Sequence, residues 1–148
     1  MSWTYAQVKA ADAAQGIADI TLAAEGLNKQ TTAATVDVPR ATVEGYLLLN
    51  GILPGMQEWA AAHPTDTTGV LAAVQDLEDL IAAQDLAQIA MSDPATNAAV
   101  TKMLGALVTA GLMTSAQQSA LLAMASAQVP VWQPTLLPGD IQTARAQP

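Results

Sequence analysis

Residues 93–127 read DPATNAAVTKMLGALVTAGLMTSAQQSALLAMASA, and this stretch decides the fold class. Asp93 before Pro94 pairs a good N-cap residue with the residue best suited to the first helical position, where a missing N–H costs nothing. Val100, Met103, Leu104, Leu107 and Val108 follow at the spacing of one buried helical stripe. Gly111 fits the residue just past a helix end, with Leu112 behind it able to fold back as the accompanying apolar contact. Thr114 with Gln117 three residues on is a capping-box pattern, and Leu121, Leu122 and Met124 carry the helix it opens to about Ala127. Residues 93–127 are therefore expected to form an αα-hairpin.

Upstream, Val70, Val74, Leu77 and Ile81 recur at steps of four, three and four, predicting a helix from Asp66, Thr67 or Thr68 to about Met91. Asp76, Glu78, Asp79 and Asp85 give that helix its wet side. A further helical unit begins at Arg40 with Thr42 as its cap and Val43, Tyr46, Leu47 and Leu49 as apolar positions. Pro54 cannot donate to Asn50 and clashes with its carbonyl, so the helix is expected to stop or kink there, with Met56 to Ala62 forming another turn or two that carries Trp59. His63 and Pro64 close the unit. Residues 1–29 read as one helix interrupted near Gly16, opened by a second capping-box pair, Thr4 and Gln7. Between these units, residues 30–38 (QTTAATVDV) switch to Thr, Val and Ala and predict a linker or a short strand.

Downstream the character changes. Pro130, Pro134 and Pro138 recur every four residues with Val131, Trp132, Leu136 and Leu137 between them, a spacing that forbids helix and favours extension. Asp140 can then cap a last short turn, Ile141 to Ala146. The expected fold is thus mostly α: a small irregular bundle of five or six short helices over residues 1–128, ending in the αα-hairpin, followed by an extended Pro-spaced arm, 129–148.

Composition narrows the function. The chain has 148 residues, 13 acidic against 5 basic, a net charge of −8, no Cys and no Phe, and Ala makes up about a fifth of it. Five scattered cations cannot grip a phosphate backbone against that charge, which argues against nucleic-acid binding. Without Cys there is no disulfide scaffold, Cys zinc site, haem-thiolate or thiol nucleophile. Mean hydropathy is +0.28, and no charge occurs between Lys102 and Asp140, which raises the question of a membrane. The apolar run there, Met103 to Met113, covers about half of the roughly 20 residues a spanning helix needs. With Lys9 and Asp12 near the start and no apolar h-region, the chain reads as soluble and unsecreted.

Chemistry is sparse. The nine Gly lie far apart and form no phosphate-binding pattern. His63 sits at an apparent helix end, where a cap or surface role is favoured over a base or ligand, and no Glu-x-x-His or His-x-x-x-His pair exists. Asp76, Glu78, Asp79 and Asp85 read as a solvated face; a cation site would draw on a loop and its carbonyls, and a glycosidase pair would need a cleft. No cofactor, metal site or catalytic set is expected.

Three Trp and two Tyr are the entire aromatic complement. Trp59 and Tyr46 are expected in the core on either side of Pro54. Trp3 and Trp132 lie near the two ends, where a monomer has least core to offer, so with Leu136, Leu137, Ile141 and Arg145 they are candidate partner-binding residues. The alternative is a tail folded back on its own bundle.

Residues 91–125 (MSDPATNAAVTKMLGALVTAGLMTSAQQSALLAMA) and the ending GDIQTARA (139–146) resemble small proteins of tailed bacteriophages. In that group an Asp-Pro helix, a Leu/Val–Ala–Gly turn, a Thr-capped "LLALG"-like helix and a terminal "DV-x-x-AR" segment recur. Here Met124 and Ala125 replace the usual Gly, and the usual "GLPP" piece reads Leu136, Leu137, Pro138. The resemblance implies a non-enzymatic virion component or assembly factor from the tail and fibre gene region. Its carried-over residues are packing and docking positions: Leu104, Leu107, Leu112, Leu121 and Leu122 in the hairpin, Ile141 and Arg145 at the end. The expectation is a tail, baseplate or fibre-attachment protein, made in the host cytoplasm and resident in the virion. It would be multi-copy or homo-oligomeric, with other phage structural proteins as partners and neither nucleic acid nor membrane. A transient tail-assembly chaperone is the second expectation, and a membrane-active lysis protein ranks below both.

Overall fold

The computed structural model describes residues 2–148. In chain order its elements are α1 (Tyr5–Gln15), α2 (Ile20–Asn28), β1 (Thr31–Thr35), β2 (Val38–Pro39), α3 (Arg40–Leu49), α4 (Ile52–Ala62), α5 (Val70–Ala82), β3 (Gln88–Ile89), α6 (Pro94–Thr109), α7 (Ser115–Ala123), β4 (Ser126–Pro130) and α8 (Pro138–Ala146). About 60% of the residues are helical and 10% are in strands, so the protein is mostly α. There are eight helices among the described residues rather than five or six.

The chain divides differently from the expected domain and arm. One unit takes Met1–Ala34 together with Gln128–Pro148, and the other takes Thr35–Ala127. The Pro-spaced arm is therefore part of a folded unit, a correction with a packing cause. Trp132, Leu136, Ile141 and Ala144 are buried against Val8, Ala23, Ala24 and Leu27 from α1 and α2. Two of these side chains precede α8 and two lie on it, and together they meet a partner surface more than 100 residues away in sequence.

Local chemistry shapes this terminal unit. Thr4 and Gln7 form the capping box that opens α1, and Gly16 at φ 68° ends it. A φ in the left-handed region suits glycine alone at no steric cost. The Asp19 carboxylate accepts from the N–H groups of Thr21 and Leu22, at 2.9 and 3.0 Å, and opens α2. Pro138 occupies the first helical position of α8, and the Asp140 carboxylate accepts from the Leu137 N–H at 2.8 Å. Asp140 thus works from inside the helix, which starts three residues earlier than the expected turn.

In the central unit α3 to α7 enclose a core of Leu47, Ile52, Met56, Val74, Leu77, Leu104, Leu107 and their neighbours. Val38 and Ile89 are register partners in the antiparallel β2–β3 pair, and both are buried. The hairpin formed, but α7 ends at Ala123 instead of about Ala127, and Ser126–Pro130 become β4. Asp93 accepts from the Thr96 N–H at 2.9 Å, Gly111 takes φ 74°, the Leu112 N–H reaches the Leu107 carbonyl at 3.0 Å, and Thr114 and Gln117 make the second capping box.

Two further boundaries moved in the central unit. Pro54 lies in the first turn of α4, where its missing N–H has no intrahelical partner to lose, so the break falls at Gly51, φ 68°. α5 stops at Ala82 instead of running to Met91. Arg40 is the cause: its guanidinium donates to the Ile81 carbonyl and, through Nε, to the Leu86 carbonyl at 3.1 Å, while its backbone N–H takes the Ala87 carbonyl at 3.1 Å. One side chain from the start of α3 draws the chain out of the helix.

The strands β1 and β4 pair with each other.

Candidate functional site

The six residues expected to bind partners fall into two groups. Trp132, Leu136 and Ile141 are 7%, 2% and 0% exposed and belong to the core of the terminal unit, which corrects their assignment as docking anchors. Leu137 is 64% exposed, Trp3 is half-buried, and the Arg145 side chain keeps 34% of its surface.

Arg145 is spent within its own unit. Its Nε and Nη2 hold the two carboxylate oxygens of Asp12 at 2.7 and 2.9 Å, a two-pronged pair. The same guanidinium donates to the carbonyls of Ala18, at 2.6 Å, and Ile17, in the turn that follows α1. The Asp12 hydrogen bonds and its charge hold the Arg145 guanidinium above its ordinary pKa. Asp12 is the one buried charged residue among those described. It stands one turn from Val8 on the inward face of α1, so an acid on an apolar stripe was the signal that sequence reasoning missed.

Three further clamps were also missed. The Asn28 side chain donates to the Leu136 carbonyl and accepts from the Leu136 N–H, both at 2.9 Å, satisfying an extended residue as a neighbouring strand would. The Trp132 indole N–H donates to the Gln30 side chain at 3.1 Å, and the Trp3 indole N–H donates to the Pro134 carbonyl at 2.7 Å. Nothing local in the sequence couples these positions.

The central unit carries two open grooves. One, of about 500 Å³, is lined by Glu44, Leu53, Gln57, Ala60, Glu78 and Ile81; Glu44 there is already paired with Arg40 at 3.1 Å. The other, about 480 Å³, is lined by Trp59, Asp66, Thr68, Val70 and Thr109. Its polar groups are engaged: Asp66 accepts from the Thr68 hydroxyl at 2.7 Å and the Leu71 N–H at 3.1 Å, which lowers its pKa, and the Thr109 hydroxyl donates to the Gly105 carbonyl. A small apolar recess of about 20 Å³ beside Val38, Leu77 and Leu104 lacks the polar partners that a bound water needs.

His63 ends α4. Its ring stacks on Trp59 with centroids 4.2 Å apart, and Nδ1 lies 2.8 Å from the Trp59 carbonyl oxygen. That is a helix-end role. Asp76, Asp79 and Asp85 are exposed and Glu78 is half-buried at a groove wall, so the acidic set is dispersed over the surface. Among the described residues no group of three His, Asp or Glu could hold a metal, and no helix is long and apolar enough to cross a membrane. The largest exposed apolar side chains of the central unit are adjacent, Leu48 at 50% and Leu49 at 90%, at the end of α3.

No protein-family model, curated protein or solved structure matches this chain.

Proposed function

We propose that this protein is a non-enzymatic structural component of a tailed-phage particle, a tail, baseplate or fibre-attachment piece that works through protein contacts. One observation carries the reading: the positions singled out by the resemblance are spent on packing and ion pairing. Leu104, Leu107 and Leu121 are buried in the central core, Leu112 and Leu122 pack against it, and Ile141 with Arg145 closes the terminal unit. A stretch whose distinctive residues build a framework suits a part that is useful for its shape. Leu137 and the half-buried Trp3 stay in the set of proposed contacts, and Leu48 and Leu49 join it. At a net charge of −8, the proposed partners are proteins rather than nucleic acid.

The test is mass spectrometry of purified particles of the phage that encodes the chain. Recovery in fixed copy number with the tail proteins is expected. Absence from particles together with recovery on unassembled tail proteins would replace this reading with an assembly chaperone, and absence from both would refute it.

A further inference from the structure

The terminal unit is built from two pieces of chain separated by the whole of Thr35–Ala127. The second piece runs from Gln128 to Pro148. From residue 131 onward it supplies Trp132, Leu136, Ile141 and Ala144, half of the buried apolar cluster of that unit. Its specific bonds run back to the first piece: Arg145 to Asp12, Leu136 to Asn28, Trp132 to Gln30, Pro134 to Trp3, and the Val131 N–H to the Gln30 carbonyl at 3.0 Å. The Lys9 ammonium adds a bond to the Gln147 carbonyl.

We infer that residues 131–148 are an exchangeable latch, and that its alternative seat is the α1–α2 surface of a second copy of this chain. The inference rests on the packing of the terminal unit and stands apart from any assignment to a phage. Every contact above lies between the two pieces, so a copy that receives the latch from its neighbour makes the same contacts, the condition for domain swapping. An open form has no stable alternative. α1 and α2 have 11 and 9 residues, too short to persist alone in water, and release would expose Val8, Ala24 and Leu27 on one side and Trp132, Leu136 and Ile141 on the other.

The occupant is specified by chemistry. The seat asks for an extended residue that presents both an N–H and a carbonyl to Asn28. It then asks for an apolar helical face, and for a guanidinium nine positions further on that reaches Asp12 and the turn carbonyls of Ile17 and Ala18. A second copy carries that combination without further design. Pro130 marks the hinge, since it has no N–H to commit there and its ring limits the directions the latch can take.

Concentration sets which seat is used. A tethered segment sees its own site at an effective concentration on the order of 1 mM. Because the contacts are the same in both forms, dilute protein closes on itself and copies held side by side exchange. The latch is silent in solution and active in an array.

The test uses two full-length charge variants, Asp12→Arg and Arg145→Asp. Each alone sets like charges against each other within the chain. Exchange between the two restores an opposite-charge pair at both seats, so mixing them at about 10 μM should give a heterodimer with twice the mass by light scattering and renewed amide protection of α1 and α2. The chain carrying both changes should remain a protected monomer. A mixture that elutes as two monomers while the doubly changed chain is folded would overturn the inference. To cover charge variants that do not fold, the unmodified chain is held at about 1 mM in urea just sufficient to open the terminal unit, returned to buffer and diluted. A trapped dimer is expected, and exclusively monomeric protein would overturn the inference equally.

Discussion

Ile141→Ala tests the assignment of the C-terminal segment to a folded core. Ile141 is fully buried on α8, among Val8, Leu27, Trp132 and Leu136. The change removes three carbons; at about 0.8 kcal/mol each the transfer loss is about 2.4 kcal/mol. The cavity left behind raises the cost to about 3–4 kcal/mol, within the range found for Ile→Ala in well-packed cores. At 1.4 kcal/mol per tenfold, that predicts a loss of roughly 100- to 1,000-fold in amide protection for those residues of α1, α2 and α8 that exchange by opening of this unit. Hydrogen exchange read by mass spectrometry resolves the segments. α5 and α6 have their own cluster and should keep their protection. The complementary change, Leu107→Asp, buries an unpaired charge in that cluster, should cost several kcal/mol, and should reverse the pattern; Asp79→Ala, on an exposed face, should shift stability by less than about 0.5 kcal/mol. A loss under tenfold in α1 and α2 for Ile141→Ala, or an equal loss in α5 and α6, would refute the placement of α8 in a core of its own.

Two other predictions follow from single residues. Arg40→Met keeps the unbranched stem of the side chain and removes its bonds to Ile81, Leu86 and Glu44; α5 should grow past Ala82 and stability should fall by about 1–3 kcal/mol, with backbone chemical shifts at residues 83–87 as the check and an unchanged helix end as the contrary result. Asp37, Asp66 and Asp93 all have pKa values lowered by hydrogen bonds, from Ser92, from Thr68 and Leu71, and from Thr96. Their folded values lie below the unfolded value near 3.9, so the stability they add is present above about pH 4 and is lost as pH falls through the folded values. The melting temperature of the central unit should therefore fall in acid. Changing all three to Asn should lower it at pH 7 and flatten its acid dependence, and parallel curves for the two proteins would count against these bonds.

The parts of the fold legible in the sequence are those whose physics is complete within one turn of chain. Thr4 with Gln7, Thr114 with Gln117, Asp93 before Pro94, and glycines 16 and 111 each announce a helix boundary because donor and acceptor, or strain and relief, lie within a few residues. The end of α5 was illegible for the opposite reason. Residues 83–91 contain no Pro or Gly, and what stops the helix is Arg40, more than 40 positions upstream. A propensity for helix worth a few tenths of a kcal/mol per residue yields to a guanidinium seeking carbonyls.

The C-terminal segment joins both cases. Its prolines correctly forbade helix as far as Leu137, and that local fact was extended to mean an unsupported arm, when it described only the backbone. Trp132, Leu136 and Ile141 are what an arm needs to grip a neighbour and equally what a core needs to close on itself, so composition could not choose between them. The choice lay in Asp12. A carboxylate one turn from Val8 on an inward face requires a cation that α1 does not supply at that depth, and Arg145 meets the requirement by bringing the last helix to the first. The same pair that settles how one chain closes also makes the seat indifferent to which copy provides the arginine, and so the packing evidence against a permanently free arm is itself the basis for an exchangeable one.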